Sequence, residues 1–148
     1  GTPWRRADGS KPDVHCDGIA LHPSRDYVYY QALTGRHLYR IAGRLLRDES
    51  LSAKQLGEMV EMVAETFPVD GIMFDRKGRL YLSALEDNAI KRLTLKGEIE
   101  TVVRDGRIRW PDTFAIGPEG RVYFTTSQIH LMPEPGRPFH VFRFEPPR

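Results

Sequence analysis

The chain has 148 residues with 22 Lys+Arg against 20 Asp+Glu, a formal charge of +2, and its basic residues are interleaved with acids rather than clustered, which argues against a nucleic-acid binder. One cysteine, Cys16, excludes an internal disulfide and a zinc site built mainly on thiolates; it reads as a buried, inert thiol. No apolar run approaches the length that crosses a bilayer, and GTPWRRADGS at the start has no signal-peptide core, so neither a membrane nor an export role is expected from these residues.

In chain order, the first predicted elements are strands at about 18–21, 27–32 and 37–41. LLRDESLSAKQLGEMVEMV follows, the one helical stretch. Ser50 or Ser52 caps it, Leu51, Leu56, Met59, Val60 and Val63 recur at helical spacing, and a short helix is expected at about 51–60 before a strand near 59–66. Strands at 71–74, 80–84, 89–93 and 98–103 come next, with Lys96-Gly97 as a hairpin turn. Then come 113–116, 122–126, 128–132 and 140–144, the last two around a Pro-rich loop at 132–138.

These strands belong to a repeat. DGIALHPSRDYVYY from Asp17, DGIMFDRKGRLYLS from Asp70 and DTFAIGPEGRVYFT from Asp112 share an Asp, a short apolar strand, a polar turn and a second strand rich in Tyr and Val. The spacings are 53 and 42 residues, and the helical insertion accounts for the longer one. A four-stranded propeller blade takes about 40–50 residues. The expectation is an all-β β-propeller fold with about three four-stranded blades over residues 1–148: blade one at about 14–66, blade two at 70–103, blade three at 112–144. Tyr29, Tyr39, Tyr81 and Tyr123 recur at strand positions and read as packing between blades.

Several longer segments are similar to one family. WPDTFAIGPEGRVYFTTSQIH from Trp110, LEDNAI from Leu85 and YYQALTGRHLYRI from Tyr29 resemble the major royal jelly protein/Yellow family, over about residues 14–144. The resemblance implies a six-bladed propeller more than twice this length, of which this chain is the C-terminal half. Three blades leave two apolar faces open. A homodimer would rebuild the ring, with Thr2–Arg6 (within 1–10) of the partner as a closing strand; a different N-terminal half, or an incomplete fragment, are the alternatives.

In such meanders the loop entering the first strand and the loop joining the second and third lie at one end. The channel mouth would therefore gather Asp17, Asp70, Asp112, Glu86, Asn88, Trp110 and Ser127 as ligand-binding residues. Asp17, Asp70 and Asp112 are the candidate metal ligands, for a divalent cation such as calcium. Lactonase-type propellers hold a divalent ion at such a mouth, and Yellow-type relatives include amine binders. The competing reading is structural: an Asp before Gly accepts backbone N–H bonds and fixes the turn. The histidines show no metal spacing, and there is no phosphate loop or G-x-S-x-G nucleophile. Three readings follow: a small-ligand-binding propeller, a metal-dependent lactonase-like hydrolase or isomerase, and an assembly piece without ligand. Relatives in the family are often secreted; the compartment of this chain stays open.

Overall fold

Three antiparallel sheets follow one another along the chain, each a meander with its strands paired in sequence order. The computed structural model describes residues 5, 8–10, 13–131 and 138–147. Sheet one contains β1 (Cys16–Leu21), β2 (Tyr27–Ala32), β3 (His37–Ala42) and β4 (Glu61–Glu65), with α1 (Ala53–Glu58) between the last two. Sheet two contains β5 (Ile72–Phe74), β6 (Leu80–Ala84), β7 (Ala89–Leu93) and β8 (Ile99–Arg104). Sheet three contains β9 (Pro111–Ile116), β10 (Val122–Thr126) and β11 (His140–Phe144). The innermost strands β1, β5 and β9 lie side by side in that order.

The apolar pattern explains the stacking. Side chains alternate across a strand, so a sheet covered on both sides carries buried residues at successive positions. Sheet two is covered on both sides: all five residues of β6 are buried. Leu80 and Leu82 pack with Tyr29, Leu38, Val69 and Ile72 against sheet one. Tyr81 and Ile90 turn the other way, onto Val122 and Phe124 of sheet three, where Phe142 and Phe144 complete the layer. Of the recurring tyrosines, Tyr29 and Tyr81 are therefore packed between sheets. Tyr39 stacks within its own sheet on Tyr30, at 5.8 Å, and the Tyr123 hydroxyl donates to Glu119 at 2.6 Å.

Three expectations need correction. Residues 128–131 of the strand expected at 128–132 are not extended: Gln128 takes a left-handed φ of 51° and Ile129–Leu131 form a 3-10 turn, and His140–Phe144 pairs directly with β10; residue 132 lies outside the described residues. The helix is shorter than its apolar spacing suggested. Ser52 closes a capping box with Gln55, but Met59 already leaves helical geometry and Glu61 begins pairing with Arg40. Cys16 is exposed rather than buried, because β1 carries a bulge between Cys16 and Gly18 and its far face has no cover. The closing strand expected at Thr2–Arg6 lies outside the described residues apart from Arg5, as does the Pro-rich loop apart from Pro138. Among the described residues no helix is long and apolar enough to cross a membrane.

The inner strands meet backbone to backbone. A Cβ on Gly18 would stand 2.8 Å from the carbonyl oxygen of Asp70, and one on Gly71 would stand 1.9 Å from that of Asp112. The Gly that follows Asp17 and the Gly that follows Asp70 are thus required by the next sheet along.

Candidate functional site

The end of the molecule where β5 begins is built from loops of all three sheets. Leu33 and Leu85, which follow the second strand in sheets one and two, pack with Trp110 into a small apolar cluster. Trp110 has a φ of 56°, a region that a bulky side chain occupies only under constraint. Three contacts hold it. Its indole Nε1 donates to Asp70 Oδ2 at 2.6 Å, its ring stacks on His130 at 5.4 Å, and its carbonyl accepts from Ser127 N at 3.0 Å.

Asp70 is the centre of the arrangement. Its backbone N–H donates to Ser83 Oγ at 3.0 Å, so the strand entry is fixed by a hydroxyl of β6 and not by the Asp carboxylate. In sheet three the matching hydroxyl, Thr125 Oγ1, accepts at 3.2 Å from Thr113 N, one residue beyond the position of Asp70. The turn-fixing aspartate is instead Asp75, whose Oδ1 accepts the N–H groups of Lys77 and Arg79 at 2.9 and 3.0 Å. Freed from that role, the buried Asp70 carboxyl faces Trp110, the Asp112 carboxyl and the charge of Asp17. Burial raises its pKa to about 6. The Trp110 bond pulls it down, while the charges of Asp112 and Asp17 and the close approach of the Asp112 side chain push it up.

This shift has a sign for stability. The folded protein holds the Asp70 proton more tightly than the unfolded chain does. The resulting stabilisation is complete below about pH 4 and is lost as pH rises through about 6. D70N keeps an acceptor for the indole and removes the charge. It is expected to match the natural protein at pH 4 and to exceed its stability by about 1–2 kcal/mol at pH 7.5, read by urea unfolding at both values.

The other expected site residues divide. Asp17 is exposed on β1 and Asp112 half-buried on β9; both act on Asp70 through charge. Glu86 is engaged elsewhere: both its oxygens accept from Arg36 Nη2, at 3.1 and 2.9 Å, tying sheet two to sheet one at the rim. Asn88 ends the Leu85–Asp87 turn with a φ of 50°, and its carbonyl accepts the N–H of Asp105. Ser127 Oγ and the neighbouring Thr126 Oγ1 are buried and have no hydrogen-bond partner among the described residues. Sequence reasoning placed Leu33 at this mouth with the loop that follows the second strand, and missed Thr126 and Leu85. The two leucines carry a signal, since they fall at matching positions of the first two repeats.

The three carboxylates do not form a ready divalent-ion cage. Asp70 Oδ2 is taken by the indole, and among the described residues no three His, Cys, Asp or Glu side chains are disposed to hold a metal. The arrangement is a partly desolvated carboxyl held by the N–H edge of a buried indole whose face lies on His130.

Comparison with known proteins agrees with this architecture. The sequence profile of the major royal jelly protein family matches residues 5–143. The chain belongs to the major royal jelly protein family. No curated protein matches it in sequence. In fold, this family member is similar to a gluconolactonase from Xanthomonas campestris, with a TM-score of 0.65 and 19% identity over 90% of this chain and 45% of that one. It is also similar to the calcium-binding protein regucalcin from Agrobacterium tumefaciens (TM-score 0.60, 20% identity, 80% of this chain and 40% of that one). A virginiamycin B lyase from Staphylococcus aureus gives a TM-score of 0.54 at 16% identity, over 81% of this chain and 40% of that one. The fold is thus all-β and of the β-propeller type, and the chain spans less than half the length of these structures.

Proposed function

We propose that this royal jelly family chain supplies three blades, half of a six-bladed propeller, and binds a small organic cation at the channel mouth. The observation that carries the reading is the Asp70 carboxyl, buried between the Trp110 indole and the Asp112 carboxyl. A positive ligand there would compensate a charge that burial and like charges disfavour. The unsatisfied hydroxyls of Thr126 and Ser127, beside Trp110, supply further polar contacts.

The test is thermal unfolding at pH 7.5 with phenethylamine or with calcium as probe, on the natural protein and on D70N. A ligand that binds only the folded state raises the melting temperature as its concentration passes its Kd. The amine is expected to raise it in the natural protein and to leave D70N unmoved. A shift with calcium alone, lost in D70N, would turn the reading toward the metal-dependent lactonase-like alternative. No shift with either probe would leave an assembly role without ligand.

A further inference from the structure

The two seams within this chain follow one rule. At each, a glycine of one inner strand lies against the Asp carbonyl and the apolar side chain two residues on from it in the next sheet: Gly18 against Asp70 and Ile72, Gly71 against Asp112 and Phe114. Sheet one offers the same pair on its uncovered side. Asp17 and Ile19 stand where Asp70 and Ile72 stand in sheet two, yet Ile19 is 68% exposed and Ile72 only 8%. Beside Ile19, a groove of about 470 Å³ runs between β1 and the inserted 45–60 segment, lined by Val28, Tyr30, Leu46 and Leu56. At the opposite end of the stack, the position of Gly18 and Gly71 is filled by Thr113, exposed on the free side of sheet three.

We propose that the free face of sheet one receives a propeller blade bearing glycine at this inner-strand position, and that Thr113 keeps a second copy of the chain from being that blade. Closing the ring with a second copy would bring Thr113 onto the carbonyl of Asp17. By the geometry of the two existing seams, its Cβ would then lie 1.9–2.8 Å from that oxygen. Carbon does not approach a backbone carbonyl so closely, and two strand backbones yield little. The homodimer expected from the sequence therefore meets its obstacle at one atom. The blade that fits carries glycine there, as the first two blades of this chain do. The inference does not depend on what the mouth binds.

The experiment compares the natural protein, T113A and T113G by light scattering after gel filtration, over a range of concentrations. Cys16 serves as a reporter: it is exposed on β1 beside the seam, so closure there should slow its reaction with a thiol reagent. The natural protein and T113A, which both keep a Cβ, are expected near the 17.0 kDa of one chain. T113G is expected to associate at least ~10-fold more tightly, with the reaction of Cys16 slowed in step. Equal association of all three proteins, as monomers or as dimers, overturns the proposal. So does a T113A that dimerises as well as T113G, or a T113G dimer in which Cys16 reacts at the monomer rate.

Discussion

Replacing Gly71 by alanine is expected to cost about 3 kcal/mol or more of stability, enough to leave the protein largely unfolded in mild denaturant. The new Cβ would lie 1.9 Å from the carbonyl oxygen of Asp112 and 2.8 Å from its carbon, both backbone atoms. No rotamer relieves that contact. β5 and β9 would have to separate, opening the layer formed by Tyr81, Val122 and Phe124. Gly57, in α1, is the control: a Cβ there meets nothing within 4 Å, so G57A should gain about 0.5–1 kcal/mol through helix propensity. Urea unfolding of both variants checks the pair. A G71A protein within about 1 kcal/mol of the natural one would mean that the inner strands are not in backbone contact.

The second large effect is expected from W110F. A phenyl ring is smaller than the indole it replaces, so part of the packing on Leu33 and Leu85 is lost at every pH, and the donor to Asp70 Oδ2 is lost with it. A buried carboxylate deprived of a charge-assisted bond costs about 2–3 kcal/mol at pH 7.5. That penalty should shrink as pH falls below 6, because Asp70, already shifted up to about 6, then carries its proton and no longer needs the indole. The natural pKa includes the lowering influence of Trp110, so W110F should also move the midpoint of the stability change to higher pH. Unfolding at a series of pH values reads both effects. A W110F penalty that is the same at pH 4.5 and 7.5 would assign Trp110 to packing alone.

Much of this was legible before the structure. The repeat located the inner strands, and it placed Asp17, Asp70 and Asp112 at one end, where they interact. Other features were hidden for physical reasons. Residues 128–132 had the composition of a strand, but a left-handed φ at Gln128 turns the chain away, and composition does not reveal one dihedral. The bond between Trp110 and Asp70 spans 40 residues and depends on an unusual φ at the tryptophan. The Gly after Asp17 and after Asp70 was read as part of a turn; its reason lies in the neighbouring sheet, which a single repeat does not contain. Glu86 looked like a ligand because its partner Arg36 lies 50 residues earlier.

The layering of the sheets also bears on how the molecule comes apart. Each outer sheet packs on sheet two, and the two apolar layers lie on opposite faces of β6 and β7. Cohesion is therefore nearest-neighbour, as in a short stack, and either layer can part while the other persists. The amides of β6 and β7 stay shielded until both layers are gone, whereas those of the outermost strands β4 and β11 need only one to yield. Protection along the chain should thus rise to a maximum in its middle third and decline toward both ends, a gradient set by the order of the layers rather than by strand composition.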